Sequence, residues 1–456
     1  MKRRDLLKTA SAAVGAVAVS PLVARAESAA SEPVQEADVL VVGGGPAGTV
    51  AALQAARAGA KTALVEMSSQ LGGTTTTGGV AFPGLFHAWG KQVIAGIGWE
   101  LVSKTVELDG GTLPDFSKIP ERHSQHQVRL NGQLYAALVE EACLEAGVAL
   151  AYYQFPLDGK ATADGWLVDV VGKGVRSAIA CRQLIDCTGG ADVAGMLGFA
   201  RLREETTQPG TLIFRLGGYD AAKLDADAIQ RRYLKALADG ELEEGDYSHA
   251  GGHFVGFLRG GGVNAQHVLG ADSSTAATKT QANLAGRRSL LRLLRFVRTL
   301  PGCENAQVQM MMQETAVRET YRIVGEETIT CDDYTSGRVF DDAVCHAFYP
   351  IDLHDRHGVR PKPLARGTVP TVPLRALIPR GSRNLLVAGR SVSSDRPANS
   401  ALRVQASCMA MGQAAGAAAA LAARSGTTPG AVPLDAVRSL LRQHAAIVPG
   451  PNPADG

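Results

Sequence analysis

The 456-residue chain has no uninterrupted run of eighteen apolar residues, so no segment declares itself a bilayer span. It has no C-x-x-C, which excludes the common dithiol redox motif, and no Cys/His cluster with zinc-finger spacing, so no metal ligands are expected. The cysteines stand at 143, 181, 187, 303, 331, 345 and 408, and their odd number rules out a fully paired framework within one chain. Buried thiols are the default expectation for most of them. Neither sign of charge dominates: the formal net charge is +2, and nothing argues for a nucleic-acid partner. What the chain does have is glycine, 52 residues of it, which suits tight turns and close backbone approaches. Its length suggests two or three modules.

The first 26 residues stand apart. A basic start, a short apolar stretch from Ala12 to Val19 and a small-x-small end at Ala24-Arg25-Ala26 form a signal-peptide pattern. Arg3-Arg4 followed by Asp5-Leu6-Leu7-Lys8 resembles a twin-arginine export signal, with Lys2 and Leu6 departing from the usual Ser and Phe. An ordinary signal peptide or a basic tail is the alternative. The expectation is export to the periplasm or another extracytoplasmic space through the twin-arginine machinery, prefolded around a cofactor. Lys2, Arg3, Arg4, Lys8 and Arg25 against Asp5 give this stretch +4, so its removal takes the chain from +2 to −2. Residues 27–36 read as a linker, and no integral membrane segment is expected in the mature chain.

Next comes "ADVLVVGGGPAGTVAALQAARAGAKTALVEM". Val39 to Val42 is a continuous apolar run, as in a strand buried on both faces. Gly43-Gly44-Gly45-Pro46-Ala47-Gly48 matches G-x-G-x-x-G and opens a small-residue helix that stops at Gly59. Thr62 to Val65 is a second strand, ending on Glu66. Gly43 permits the tight turn, Gly45 lets a pyrophosphate approach the backbone, and Gly48 lets helix and strand pack closely. The helix N-terminus offers unpaired N–H groups to the anion, and Glu66 offers a carboxylate to ribose hydroxyls. Strand, turn, helix, strand and acid in this order make the motif specific for a dinucleotide. It serves NAD and FAD alike.

Three features separate the two. The motif opens the mature chain, "LGGTTTTGGV" follows the acid directly, and the C-terminal part reads "NLLVAGRSVSSDRPANSALRVQASCMAMGQAAGAAAALAA". Together they resemble the FAD-dependent oxidoreductases related to glutathione reductase and the fumarate reductase flavoproteins. The resemblance implies an α/β fold: a discontinuous Rossmann-like FAD-binding domain of the glutathione-reductase type with an inserted mixed α+β substrate domain. The first part of the FAD domain is expected at 37–209, the substrate region at 210–375, the second FAD part at 376–425 and a tail at 426–456. It implies FAD contacts from Gly43, Gly45, Pro46, Ala47, Gly48, Glu66 and Met67. It adds Gly72, Gly73, Thr74, Thr77 and Gly78 of the Thr/Gly run, and Thr188 and Gly189 after the strand Leu184 to Cys187. It also adds Gly389, Leu402 and Arg403, where a helix starting near Ser400 to Arg403 aims its N–H groups at the flavin. Asp192 is expected to cap the helix after Gly190. "RGGGVNAQH" (259–267) has glycines but no preceding apolar strand, so no separate NAD(P)H domain is expected.

The middle of the chain supplies the candidates for chemistry. In "GRRSLLRLLRFVR", Arg288, Arg292 and Arg295 share one helical face, which reads as a surface helix or, alternatively, a membrane-surface one. Arg318 and Arg322 are four apart, on one side if the passage is helical, and could anchor a carboxylate or pair with Glu314, Glu319 or Glu326. The alternation Ile351-Asp352-Leu353-His354 points Asp352 and His354 to one face, and the resembled family carries a similar D-x-H. His354 is the candidate to move a proton while hydride passes to or from flavin N5, with a structural histidine as the alternative. His87 is a weaker candidate and His357 lies nearby. The expected function is an FAD-dependent oxidoreductase acting on a small organic molecule, anionic or neutral. Arg318, Arg322 and Arg403 orient that molecule, and an external carrier supplies or takes electrons. The alternatives are a flavin-containing hydratase, isomerase or lyase, and an exported electron-transfer or binding flavoprotein.

Overall fold

The computed structural model of the protein describes residues 35–247, 252–359 and 361–450. The expected leader, 1–26, and the linker up to residue 34 lie outside the described residues. Strand β1 (Gln35–Val42), helix α1 (Pro46–Arg57) and strand β2 (Thr62–Glu66) follow one another as the sequence pattern anticipates. Val39 and Val41 enter one hydrophobic core and Leu40 and Val42 another, which is why the strand is apolar without alternation. Helix α2 (Gly132–Glu145), capped by the Asn131 side chain on Gln133 and Leu134 N–H, leads into β3 (Ala149–Tyr152), parallel to β2. An antiparallel meander follows: β4 (Gln154–Ala161), β5 (Trp166–Gly172) and β6 (Val175–Asp186). β6 is long enough to do two things, pairing with β5 over Val175–Cys181 and with β1 in parallel as far as Asp186. β7 (Leu385–Val387) then takes the other side of Leu184–Asp186. The sheet runs β3-β2-β1-β6-β5-β4, with β7 beside the end of β6. The architecture is mixed α/β, with the strand–turn–helix–strand start of a Rossmann-type domain.

A second core, from Phe214 to Ala306, is built on a three-stranded sheet (Gly262–Val263, Phe214–Gly217, Gln307–Met311) and its helices. It is aromatic: Tyr233, Tyr247, Phe254, Phe257 and Phe296 meet as stacked and edge-on pairs. Helix α3 (Ala276–Val297) packs on it through Leu290, Leu293, Phe296 and Val297. Arg292 is tied to Asp246 and Glu243, and Arg288 and Arg295 are exposed, so the three arginines lie on a surface face. Residues Ile329 to Ile378 send their apolar side chains to the first core instead.

The chain closes with α4 (Arg396–Leu402), capped by Asp395, and α5 (Gln405–Ser425). α5 lies against α1 at backbone contact distance. A Cβ on Gly412 would sit 2.1 Å from the Ala47 carbonyl oxygen, and one on Gly416 2.3 Å from that of Ala51. Only glycine permits this approach. α5 is long and apolar enough to cross a membrane, but 94% of its most apolar stretch is buried inside the fold. A final helix, Leu434–Gln443, adds Val437 and Leu441 to the first core.

Candidate functional site

The turn after β1 is closed by glycines with different duties. Gly43 has φ +98°, and a Cβ there would lie 2.6 Å from the Cys187 carbonyl oxygen. A Cβ on Gly48 would lie 1.8 Å from Gly43 O. Gly45 is the exception: a Cβ there meets nothing within 4 Å. Gly45 is also the N-cap of α1, has no side-chain cap, and precedes Pro46 at N1. The N–H groups of Gly45, Ala47 and Gly48 have no protein acceptor among the described residues, whereas Gly43 donates to Val65 and Thr49 to Gly45. Glu66, at the end of β2, accepts from Gly44 N–H at 2.6 Å and from Ser68 N–H at 2.7 Å, one oxygen each. A carboxylate has two further lone-pair sites to offer. Met67 is exposed.

The Thr/Gly run is a compact double turn, not a linker. Gly72 N–H donates to Gly44 O at 2.8 Å, and Gly73 (φ +45°) packs so closely that a Cβ would be 2.9 Å from Gly45 Cα. Gly78 N–H returns to Gly73 O, and a Cβ on Gly78 would be 3.0 Å from Thr74 O. The four threonines divide. The Thr75 hydroxyl donates to Gln405 Oε1 and that of Thr76 to Leu71 O, so these two spend their protons on the protein. Thr77 accepts a long contact from Gln70, and the half-buried Thr74 hydroxyl has no protein partner among the described residues. Gln405 also donates to Val80 O, which fastens the run to the start of α5.

The return turn differs from expectation at its cap. The N-cap of the Asp192–Met196 helix is Ala191, at φ 52°, and Asp192 does not cap it. Buried Asp186 takes that role, accepting from Ala194 N–H, while Thr188 Oγ1 accepts from Asp192 N–H and donates to Asp186. Gly189 (φ +76°) offers its carbonyl to Arg390, which also reaches Val317 O and so ties this turn to the C-terminal segment. Gly389 faces Ala47 of α1, 3.1 Å from a Cβ placed on it. The expected helix start at Ser400 to Arg403 is a break between two helices. Leu402 is the last residue of α4, and Arg403 N–H is spent on Asn399 O. The open amides lie one step on: Gln405 and Ser407 N–H have no protein acceptor among the described residues, and the buried Ser407 hydroxyl has none either.

A second constellation sits beside this break. His354 and Asp352 do share a face, with Nε2 of His354 3.2 Å from Asp352 Oδ2. Nδ1 of His354 is 3.0 Å from His267 Nε2, and Nδ1 of His267 is 3.1 Å from the Asp355 carbonyl oxygen. Arg403 Nη2 donates to Asp352 O, Asp352 Oδ2 and Gln208 Oε1 at 3.1–3.3 Å, while its buried Nε has no partner. Arg318 donates through one nitrogen to Pro209 O and Thr211 Oγ1; its Nε and Nη2 have no protein partner among the described residues. Gln208 also accepts from His354 N–H and is itself gripped by buried Glu319, which pairs with Arg396. Burial pushes His354 down to about 4 against the pull of Asp352, and burial with Arg318 pushes His267 down to about 3. Burial and the like charge of Arg403 bring Arg318 down to about 9. Burial opposes ionisation of Asp352, but His354, Arg403 and Arg318 outweigh it and hold its carboxyl below its ordinary value.

Arg322 belongs elsewhere. The passage is not helical: Arg322 lies in the short strand Arg322–Ile323, and its guanidinium is filled by Glu204 (2.7 and 3.0 Å) and Ser394 O. With only 3% exposure and all three of its nitrogens already bonded to the protein, it holds the fold together rather than a substrate. His87 stacks on Phe116 at 3.7 Å beside Trp99, so it is part of an aromatic cluster; burial, with His126, pushes it down to about 4. His357 is exposed. All seven cysteines are free thiols, six of them buried, and no group of three or more potential metal ligands occurs among the described residues.

The model of one protein family, FAD dependent oxidoreductase, matches residues 38–441. The chain belongs to this family. A 40-residue stretch of this FAD-dependent oxidoreductase is 58% identical to mitochondrial dihydrolipoyl dehydrogenase of Caenorhabditis elegans, over 9% of this chain and 8% of that protein. Among solved structures, a geranylgeranyl bacteriochlorophyll reductase-like protein from Thermoplasma acidophilum is 14% identical with a TM-score of 0.42, covering 90% of this chain and 83% of that one. The anhydrotetracycline hydroxylase of Streptomyces rimosus is also 14% identical with a TM-score of 0.43, covering 90% and 66%.

FAD is therefore the cofactor, and the oxidoreductase has the residues for it. The unpartnered amides of Gly45, Ala47 and Gly48, beneath an open Gly45, suit a diphosphate; a second set at Gln405 and Ser407 suits a flavin carbonyl. The sequence reading assigns Gln208, His267 and Arg390 no role, and it weighs Glu319 as a partner of Arg318 or Arg322, whereas Glu319 pairs with Arg396. No local motif marks them; their importance comes from partners far away in the chain.

Proposed function

We propose that this chain is an exported FAD-dependent oxidoreductase that passes hydride between a small anionic organic substrate and flavin. Its FAD domain is of the glutathione-reductase type, as the meander and the late-arriving β7 suggest, and residues 210–375 supply the substrate region. Gly45, Ala47, Gly48, Glu66, Gly73, Thr74 and Gly389 hold the dinucleotide, and the start of α5 holds the flavin end. When bound, the flavin supplies N5 as hydride acceptor or donor. The observation that carries the reading is the pairing of two open donor sets, at α1 and α5, with a charged corner between Arg403 and Arg318. Those two guanidinium groups keep unused N–H donors and orient the substrate carboxylate. The His354–Asp352 pair takes the proton that leaves as hydride departs.

Export by the twin-arginine route fits a protein that must be loaded with FAD before it crosses the membrane, and the electron partner is a carrier or small molecule met after export. The test is direct. Purified protein is expected to carry flavin absorbance, to gain thermal stability with added FAD, and to bleach anaerobically with a small carboxylate substrate. Absence of both flavin signals sinks the reading; turnover without bleaching moves it to a hydratase, isomerase or lyase.

A further inference from the structure

The three hydrogen bonds Asp352–His354–His267–Asp355 O form a line whose polarity can be counted. The Asp355 carbonyl only accepts, so His267 Nδ1 carries a proton. A neutral His267 then has a bare Nε2, which accepts from His354 Nδ1. A neutral His354 in that tautomer presents a bare Nε2 to Asp352 Oδ2, 3.2 Å away, where two lone pairs face each other. Reversing both rings cures this contact but places a bare His267 Nδ1 against the Asp355 carbonyl. With both rings neutral, the line is always one proton short. One added proton, between His354 Nε2 and Asp352 Oδ2, satisfies all three bonds.

We infer that His267, anchored by the Asp355 carbonyl, is a positioning residue that fixes the missing proton at His354 Nε2 and so makes the His354–Asp352 pair the base of the site. This rests on the reading of that pair as the proton-transfer site. The transfer breaks the substrate's bond to hydrogen and leaves the electron pair with the substrate. It forms a bond at Nε2, shared with Asp352. Arg403 and Arg318 are the cations that face the pair, and Tyr349 and His123 are its other titratable neighbours. Arg403, by donating to Asp352 Oδ2, keeps the carboxylate from claiming the proton outright. His267 is 4% exposed, so it does not meet substrate itself.

Glutamine can reproduce the polarity of His267, since its amide N–H donates to the Asp355 carbonyl and its oxygen accepts from His354. Phenylalanine cannot. The experiment uses FAD-loaded full-length protein labelled in histidine, with proton–nitrogen correlation spectra at neutral pH and signals assigned from His267→Gln and His354→Gln. His354 is expected as the Nδ1–H tautomer in the native protein and in His267→Gln. In His267→Phe it is expected to switch to Nε2–H, with loss of the low-pH uptake of a second proton at that nitrogen. An Nε2–H tautomer in the native protein overturns the inference, as does an unchanged His354 in His267→Phe. If His267→Phe does not fold, the native and His267→Gln spectra decide. Flavin absorbance read on the same samples tests the FAD assignment separately, because the tautomer is measured without substrate or turnover.

Discussion

The nucleotide turn and the charged corner are built from opposite materials. Around Gly43 to Gly48 the working atoms are backbone N–H groups, and at Gly43, Gly48 and Gly73 a side chain is excluded because there is no room for it. Around Asp352 the working atoms are mostly on side chains, drawn from residues 208, 267, 318, 352, 354 and 403, anchored on the Asp355 and Asp352 carbonyls and cross-braced by Glu319 and Arg396. A backbone site tolerates no change of shape. A side-chain site tolerates changes of shape but not of polarity.

The sharpest way to break this contrast is at the turn. Gly48→Val puts a side chain where even a Cβ is 1.8 Å from Gly43 O. The expected destabilisation exceeds about 3 kcal/mol, seen as loss of soluble, flavin-bearing protein. Gly73→Val combines a positive φ with a 2.9 Å contact and is expected to lower both the melting temperature and FAD retention. Gly45→Ala separates the two effects. Its Cβ meets no protein atom, so melting of the FAD-free protein should be unchanged while FAD retention falls at least about tenfold. Equal losses in both would mean that Gly45 serves the fold alone.

At the corner the expected effects are smaller and of another kind. Arg403→Lys keeps the charge but loses the planar guanidinium that sets Nη2 against both Asp352 and Gln208. Flavin retention is expected to hold, while kcat/KM falls roughly 10- to 100-fold, the worth of one or two charge-assisted hydrogen bonds. The smallest expected effect is on acid stability. His87, His267 and His354 have folded-state values of about 4, 3 and 4, below the ordinary 6.5. The unfolded chain therefore binds more protons through this window, and stability present above 6.5 is lost as pH falls toward 4. A melting temperature that drops by a few degrees over that range, and drops less in His87→Phe, is the expected record. A flat profile would show that these rings stay accessible.

The same contrast explains what could be read from the sequence. The glycine turn was legible because its parts are neighbours in the chain: strand, turn, helix and acid all fall between residues 35 and 66. D-x-H was legible for the same reason, since Asp352 and His354 need only alternation to meet. Arg322 misled because spacing of four implies a shared face only in a helix, and here the chain is extended and Glu204 supplies the partner. Asp192 misled because Asp186, at the end of the preceding strand, reaches the helix amides first. His267 and Gln208 gave no signal at all, because each matters only through residues brought from 87 and 146 positions away.

The closeness of α5 to α1 has a consequence in time as well as space. The helix that begins at Gln405 fits over Ala47 and Ala51, and β7 completes a sheet whose first strand begins at Gln35. The pocket for the dinucleotide is thus drafted at the start of synthesis and finished near its end. Contacts of such long range form late and slowly. A truncated product lacking α5 would expose the small-residue face of α1 and could not close around its cofactor, so possession of bound flavin is a certificate that synthesis has passed α5.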